Sequence, residues 1–199
     1  MNPIKAIYCR SVQAVLRAAL PVLPYREPQV FHSCGELSTV FQKENIRRVL
    51  IVTDSGIVRS GIAAQLEAVL DEDDISYAVY DQTRPNPTVV NVEQALSLYR
   101  RYRCQALIAI GGGSSMDCAK AVGARLARPG TPLGKLKGTL RILRPLPTLI
   151  AIPTTAGTGS EVTLVAVVAD THKHAKLSFT SYKLVPHVAI LDPALTSSL

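Results

Sequence analysis

From residue 47 onward, short apolar and β-branched runs alternate with stretches of helical periodicity, and this rhythm limits the possible folds more than any other feature of the chain. Val49 to Thr53 reads as a buried strand. Ile57, Val58, Ile62, Leu66, Val69 and Leu70 then recur at helical spacing and predict a helix over 56–70. A second strand runs from Ile75 to Tyr80. The sequence PNPT at 85–88 punctuates and offers Thr88 as a helix start, with Val92, Ala95, Leu96 and Tyr99 as the apolar stripe of that helix. Gln105 to Ile110 forms a third strand that stops abruptly at GGGSS (111–115); a helix over 116–127 and a fourth strand, Thr148 to Ile152, follow. Strands that alternate with helices pair in parallel and carry helices on both faces, so the fold class is α/β. After Pro153 the pattern changes: 162–169 and 176–179 flank DTHKH (170–174) as a hairpin, and 188–191 is one more strand.

Composition closes off several classes. A 199-residue chain that is 47% hydrophobic can bury a real core and is not a disordered protein. No apolar run reaches the ~18 residues of a membrane-spanning helix; the longest uncharged stretch, Pro145 to Ser160, is broken by prolines, threonines and glycines. The four cysteines, Cys9, Cys34, Cys104 and Cys118, show no zinc-finger or CxxC spacing, which fits a reduced, intracellular protein. Residues 1–24 stand apart as an amphipathic helix ended by Pro21 and Pro24. It reads as a packing or partner-binding helix, or as a transit peptide, since no acid precedes Glu27. The net charge of +7 is concentrated: no acid lies between Asp117 and Glu161, whereas Lys120, Arg125, Arg128, Lys135, Lys137, Arg141 and Arg144 do. Such a segment draws phosphate-bearing ligands or an acidic surface, or is a solvated helix and loop. No recognition-helix motif or aromatic-rich strand accompanies it, so nucleic acid is not the expected partner.

The sharpest local signal is strand–GGGSS–helix. Peptides without side chains let a diphosphate approach, and free N–H groups at a helix start point toward the anion; tight turns use the same glycines. Neither GxGxxG nor GxxxxGK[ST] is present. Asp54, just past the first strand, suits either of two tasks: accepting hydrogen bonds from ribose hydroxyls, which disfavours a 2′-phosphate, or capping the following helix. Residues 153–163 carry five hydroxyls and two glycines, enough to wrap a ligand's polar edge, or a plain loop.

Other candidates carry less. Asp170, His172 and His174 imitate a metal triad on one strand face, but beside Lys173 and Lys176 at a hairpin tip they read as solvated. His32 and His187 are isolated, and Cys118, with no histidine nearby in sequence, reads as a small buried residue.

Taken together, VTD (52–54), PNPT (85–88), GGGSSMDCAK (111–120), PTTAGTGSE (153–161) and AILDP (189–193), in this order, resemble the iron-containing (group III) alcohol dehydrogenases over roughly residues 28 to 196. The similarity is strongest to the propanol and ethanol dehydrogenase branch. The PTTAGTGSE run separates the chain from glycerol dehydrogenase and dehydroquinate synthase relatives. The resemblance implies a Rossmann-like, doubly wound, mainly parallel sheet with an added β-hairpin, residues 25–199 forming the NAD-binding domain. It implies that Asp54 meets the adenosine ribose, Asn86 lies near the dinucleotide, Gly112, Gly113, Ser114 and Ser115 hold the pyrophosphate, Thr154, Thr155 and Thr158 line the nicotinamide side, and Lys176 contacts the cofactor's ribose. Asp117 and Lys120 match the motif but suit a structural role equally well.

In the family an Asp and three His of a helical C-terminal domain hold the metal, iron or zinc, the first in a GxDALxHA-type segment that would follow Leu199. The expectation is therefore a chain that binds NAD and, lacking that domain and its Lewis acid, does not by itself turn over a small alcohol or aldehyde. The competing reading is a non-catalytic nucleotide-binding or assembly module. A homo-oligomer, or the missing domain, is the expected partner; the expected location is the cytoplasm, microcompartment association included.

Overall fold

The computed structural model describes residues 26–196, and the helix expected over 1–24 lies outside them. The elements in order are β1 (Gln29–Phe31), α1 (Leu37–Glu44), β2 (Arg48–Val52), α2 (Ser55–Arg59), α3 (Ile62–Glu72), β3 (Ser76–Tyr80), α4 (Val89–Arg101), β4 (Ala106–Gly111), α5 (Gly113–Ala127), β5 (Gly138–Thr139), β6 (Thr148–Pro153), β7 (Val165–Asp170), β8 (Ala175–Thr180), β9 (Val188–Ile190) and α6 (Pro193–Thr196). Six strands form one sheet in the order β1-β9-β6-β4-β2-β3, parallel at every junction.

The near-continuous apolar runs of β2 and β4 follow from burial on both faces. Leu50, Val52, Leu107 and Ala109 pack with α4 and α5. Val49, Ile51, Ala106 and Ile108 face the other way, toward α1 and α3. Chain leaving β2 passes through α2 and α3 to β3 on one side, while chain leaving β4 passes through α5 to β6 on the other. The carboxyl ends of β2 and β4 are therefore the topological switch point, where a doubly wound sheet opens a crevice.

Two helices differ from the sequence expectation. The helix expected over 56–70 is two helices, α2 and α3, separated at Gly61, whose φ of +79° breaks the helical run. The helix expected over 116–127 begins three residues earlier, so Gly113, Ser114 and Ser115 form its first turn. β1 and α1 are additions to the expected pattern. The hairpin after Pro153 is present as antiparallel β7 and β8, and β5 adds to it in parallel as a second small sheet, β5-β8-β7. A hydrogen bond from the Ala169 N–H to the Pro87 carbonyl (2.8 Å) ties this sheet to the PNPT segment.

The basic segment is divided by the fold. Lys120 is fully buried, and Arg125 is locked onto Glu93 (Nε–Oε1 2.6 Å), whereas Lys135, Lys137, Arg141 and Arg144 stay exposed around the 3₁₀ turn Leu133–Leu136 and β5. Among the described residues no helix is long and apolar enough to cross a membrane.

Candidate functional site

A cavity of about 500 Å³ opens at the switch point, lined among others by Asp54, Arg59, Thr83, Arg84, Gly112, Gly113, Ser114, Thr154 and Thr155. Its floor is the turn that carries β4 into α5. Gly111 has φ +135°, and a Cβ there would lie 2.8 Å from Ser115 Oγ, so this position accepts only glycine. The next two glycines act differently: a Cβ on Gly112 would lie 3.3 Å from Thr155 Oγ1, and one on Gly113 would lie 3.3 Å from Thr158 Cβ and Ser160 Oγ. Bare backbone here lets the threonine-rich loop after β6 sit directly on the turn.

The N–H groups of Gly113 and Ser114 belong to the first turn of α5, where no intrahelical acceptor exists, and the 15-residue helix adds its positive dipole end at the same point. The Ser115 N–H is occupied by the Gly112 carbonyl (3.1 Å). No acid lies in that first turn to compete for an anion.

Of the two readings of Asp54, the helix cap is the one the structure forms. Oδ1 caps α2, accepting from the Gly56 N–H (2.8 Å) and the Ile57 N–H (3.2 Å). Oδ2 faces the glycine turn, 3.4 Å from where a Gly111 Cβ would be. Thr88 starts α4 as expected, with a capping box in which Thr88 Oγ1 accepts from the Asn91 N–H and Asn91 Oδ1 accepts from the Thr88 N–H. The Asn91 amide then reaches Tyr80 Oη (3.0 Å) and the Gln82 carbonyl (2.9 Å), fixing the wall that carries PNPT.

The expected site residues do not all share this cavity. Asp54, Gly112, Gly113, Ser114, Thr154 and Thr155 line it. Thr158 rests against Gly113 at its margin. Asn86 joins through its backbone, its N–H donating to Ser114 Oγ (3.3 Å) from a residue with φ +56°. Ser115 is buried beneath the turn, its hydroxyl turned toward Gly111 rather than into the cavity. Lys176 is exposed on β8, in register with Ala169, and is not among the lining residues. Arg59, Thr83 and Arg84 are walls that the sequence reading passed over; the signal for the last two was their place right after β3, at the same sheet end as the glycine turn.

The residues given structural readings behave accordingly, and one reading needs correction. Burial pushes the Cys118 thiol up to about 12, which keeps it a protonated, inert core group. His187 is held neutral, its pKa lowered to about 4 by burial and by Arg26, with Nδ1 accepting from the Leu149 N–H (3.1 Å). Asp170, His172 and His174 do not share a strand face: Asp170 is buried and its Oδ1 turns the hairpin by accepting from the N–H groups of His172 and Lys173. The His, Cys, Asp and Glu of the described residues nowhere gather in threes as metal donors, so these residues do not fit the family's iron.

The dinucleotide fits better. The buried hydroxyl of Thr154, on the cavity wall, has no partner among the described residues, the turn is a cradle that any Cβ would crowd, and first-turn amides and Asp54 line the same cavity. Fold and crevice together define a Rossmann-like α/β domain. The profile of iron-containing alcohol dehydrogenases matches residues 29–193, and the chain belongs to that family. Alcohol dehydrogenase 4 of Schizosaccharomyces pombe is 35% identical over an alignment of 186 residues that covers 91% of this chain and 44% of that protein. Among solved structures, the alcohol dehydrogenase from Oenococcus oeni superposes with a TM-score of 0.83 at 31% identity, over 88% of this chain and 47% of its own. Sulfoacetaldehyde reductase from Bifidobacterium kashiwanohense in complex with NAD+ gives 0.75 at 30% identity, over 88% of this chain and 47% of its own. The chain thus spans under half the length of the relatives it matches.

Proposed function

We propose that this chain is the cofactor-binding part of an NAD-dependent alcohol or aldehyde dehydrogenase. The observation that carries the reading is the pair of first-turn amides of α5, set on a side-chain-free turn at the switch point between Asp54 and the Thr154–Thr155 loop. Bound NAD supplies the hydride acceptor.

The N–H groups of Gly113 and Ser114, with Gly112 giving clearance, hold the pyrophosphate at the positive end of α5. Ser115 supports the turn from beneath. Asp54 Oδ2 accepts hydrogen bonds from the adenosine ribose hydroxyls, and its charge repels a 2′-phosphate, favouring NAD over NADP. Thr154 and Thr155 on the cavity wall, with Thr158 at its margin, line the nicotinamide side, and Asn86 borders the dinucleotide through its bond to Ser114. Lys176, on β8 outside the lining, is assigned to the cofactor's ribose by the family resemblance alone. In this reading the chain taken alone binds the dinucleotide and does not oxidise alcohol. The substrate is a small alcohol or aldehyde, the location the cytoplasm and the assembly a homo-oligomer, which sedimentation at several concentrations checks.

Calorimetric titration with NAD+ and NADP+ tests the cofactor assignment: saturable binding with NAD+ the tighter is expected, and no binding, or tighter NADP+, overturns it. Adding divalent iron, NAD+ and ethanol and following NADH absorbance tests the rest; turnover would refute the claim that this chain binds without reacting.

A further inference from the structure

We infer that Lys120 is a positioning residue for the crevice: from the core of α5 its side chain clasps the far end of the 154–164 loop and so sets where Thr154, Thr155 and Thr158 lie over the glycine turn. The consequence for cofactor affinity rests on the dinucleotide reading; the clasp itself rests on geometry alone.

Lys120 is 0% exposed, and its Nζ donates to the Thr163 carbonyl (2.7 Å), Thr163 Oγ1 (3.0 Å) and the Val165 carbonyl (3.1 Å), which uses every proton of the ammonium. One turn earlier on the same helix face, Asp117 Oδ2 accepts from the Val167 N–H (3.0 Å). Helix residues three apart thus grip residues 163, 165 and 167, the alternate positions that an extended chain turns to one side. At the loop's near end, the Thr154 N–H donates to the Gly111 carbonyl (3.0 Å). Between these ends the loop carries Gly157 and Gly159 at positive φ and has little ladder of its own, the Val162 N–H to Gly159 carbonyl bond (3.1 Å) and a long contact from the Ser160 N–H to Thr158 Oγ1 (3.5 Å).

The helix that supplies the anion-facing amides at 113 and 114 therefore also fixes the loop that closes over them. A buried ammonium is costly unless each proton is matched, and an apolar side chain would fill this space more cheaply. What the cation adds is a fixed location for Thr163 and Val165, on the side of the edge strand β7 where, among the described residues, no ladder partner holds them. Asp117 on α5 and Glu161 on the loop are the charges facing it; both favour the ammonium, while burial, the larger influence, lowers its pKa to about 8.

The test is Lys120→Met, close in length but without donors. Calorimetry with NAD+ at pH 7 is expected to show affinity reduced tenfold or more, and hydrogen–deuterium exchange to accelerate over 154–165 while β4 and β6 keep wild-type protection. The wild type is expected to lose affinity between pH 7 and 9.5, as Lys120 gives up a proton, and the variant to show no such decline. Wild-type affinity in the variant, exchange that rises equally through β4 and β6, or a flat wild-type pH profile would each overturn the clasp. Should Lys120→Met fail to fold, Lys120→Gln, which reaches fewer of the three oxygens, is measured in its place with the same expectations. A wild type that does not bind NAD+ refutes the dinucleotide reading and leaves exchange to decide the clasp.

Discussion

A single methyl group on Gly113 separates affinity from stability. In Gly113→Ala the new Cβ would stand 3.3 Å from Ser160 Oγ and Thr158 Cβ and 3.4 Å from Thr158 Cγ2, so the loop must retreat by a few tenths of an ångström. Backbone strain is absent, because Gly113 is the first residue of α5 and lies in ordinary helical geometry. Alanine in place of glycine favours a helix by up to about 1 kcal/mol in the interior, and by less at its first position, which offsets the crowding. The net change in folding stability should stay within about 1 kcal/mol. The ligand has no such compensation. A hydrogen bond to a charged group contributes about 1.5–3 kcal/mol; a loop pushed off the turn, with a methyl group where the diphosphate approaches, removes one such bond. Affinity for NAD+ should fall about 10- to 100-fold. Calorimetry read beside urea unfolding of the same sample makes the comparison. Wild-type affinity in the alanine variant would refute the reasoning, as would an affinity loss that merely tracks a loss of stability.

Three further substitutions probe the rest of the account. Asp54→Ala removes both cap bonds on α2 and should cost about 1 kcal/mol in urea unfolding, while narrowing the preference for NAD+ over NADP+; an unchanged preference would remove Asp54 from cofactor selection. Gly123→Ala drives a Cβ to 2.6 Å from Leu146 Cδ2, so it should lose about 1–3 kcal/mol by overpacking with NAD+ affinity kept, measured by thermal unfolding and calorimetry. For His187, whose folded pKa lies at about 4 against an ordinary 6.5, the unfolded chain binds the extra proton first; its contribution is present above pH 6.5 and is lost as pH falls through 6.5 toward 4. His187→Asn retains an acceptor for the Leu149 N–H and should flatten that part of the acid-unfolding curve, so equal urea midpoints for both proteins at each pH would contradict the assignment.

The sheet was readable because β2, β4 and β6 are buried on both faces and so appear as unbroken apolar runs. Two kinds of information were hidden. At Gly61 the apolar spacing continues across the break, because Ile57 and Ile62 enter the same core from separate helices. At 113–115 glycine and serine propensities argue against helix, yet tertiary packing of the turn against the threonine loop draws the helix start forward. In the site, Gly112, Gly113, Ser114, Thr154 and Thr155, which motif spacing singles out, line one cavity, since each lies just past a strand end. Spacing could not tell that Ser115 turns inward, that Asp54 caps α2 through Oδ1 and leaves Oδ2 toward the glycine turn, or that Lys120 leaves the basic surface for the core. Those outcomes depend on which way a side chain points, and that is decided by neighbours far along the chain.

The central claim is that the first-turn amides of α5 receive a diphosphate, and a crystal structure of this chain with NAD+ tests it most directly. The account predicts diphosphate oxygens at about 3 Å from the Gly113 and Ser114 nitrogens, with the adenosine ribose hydroxyls on Asp54 Oδ2. A dinucleotide seated elsewhere on the sheet, or a glycine turn closed by side chains with no phosphate against it, would contradict it.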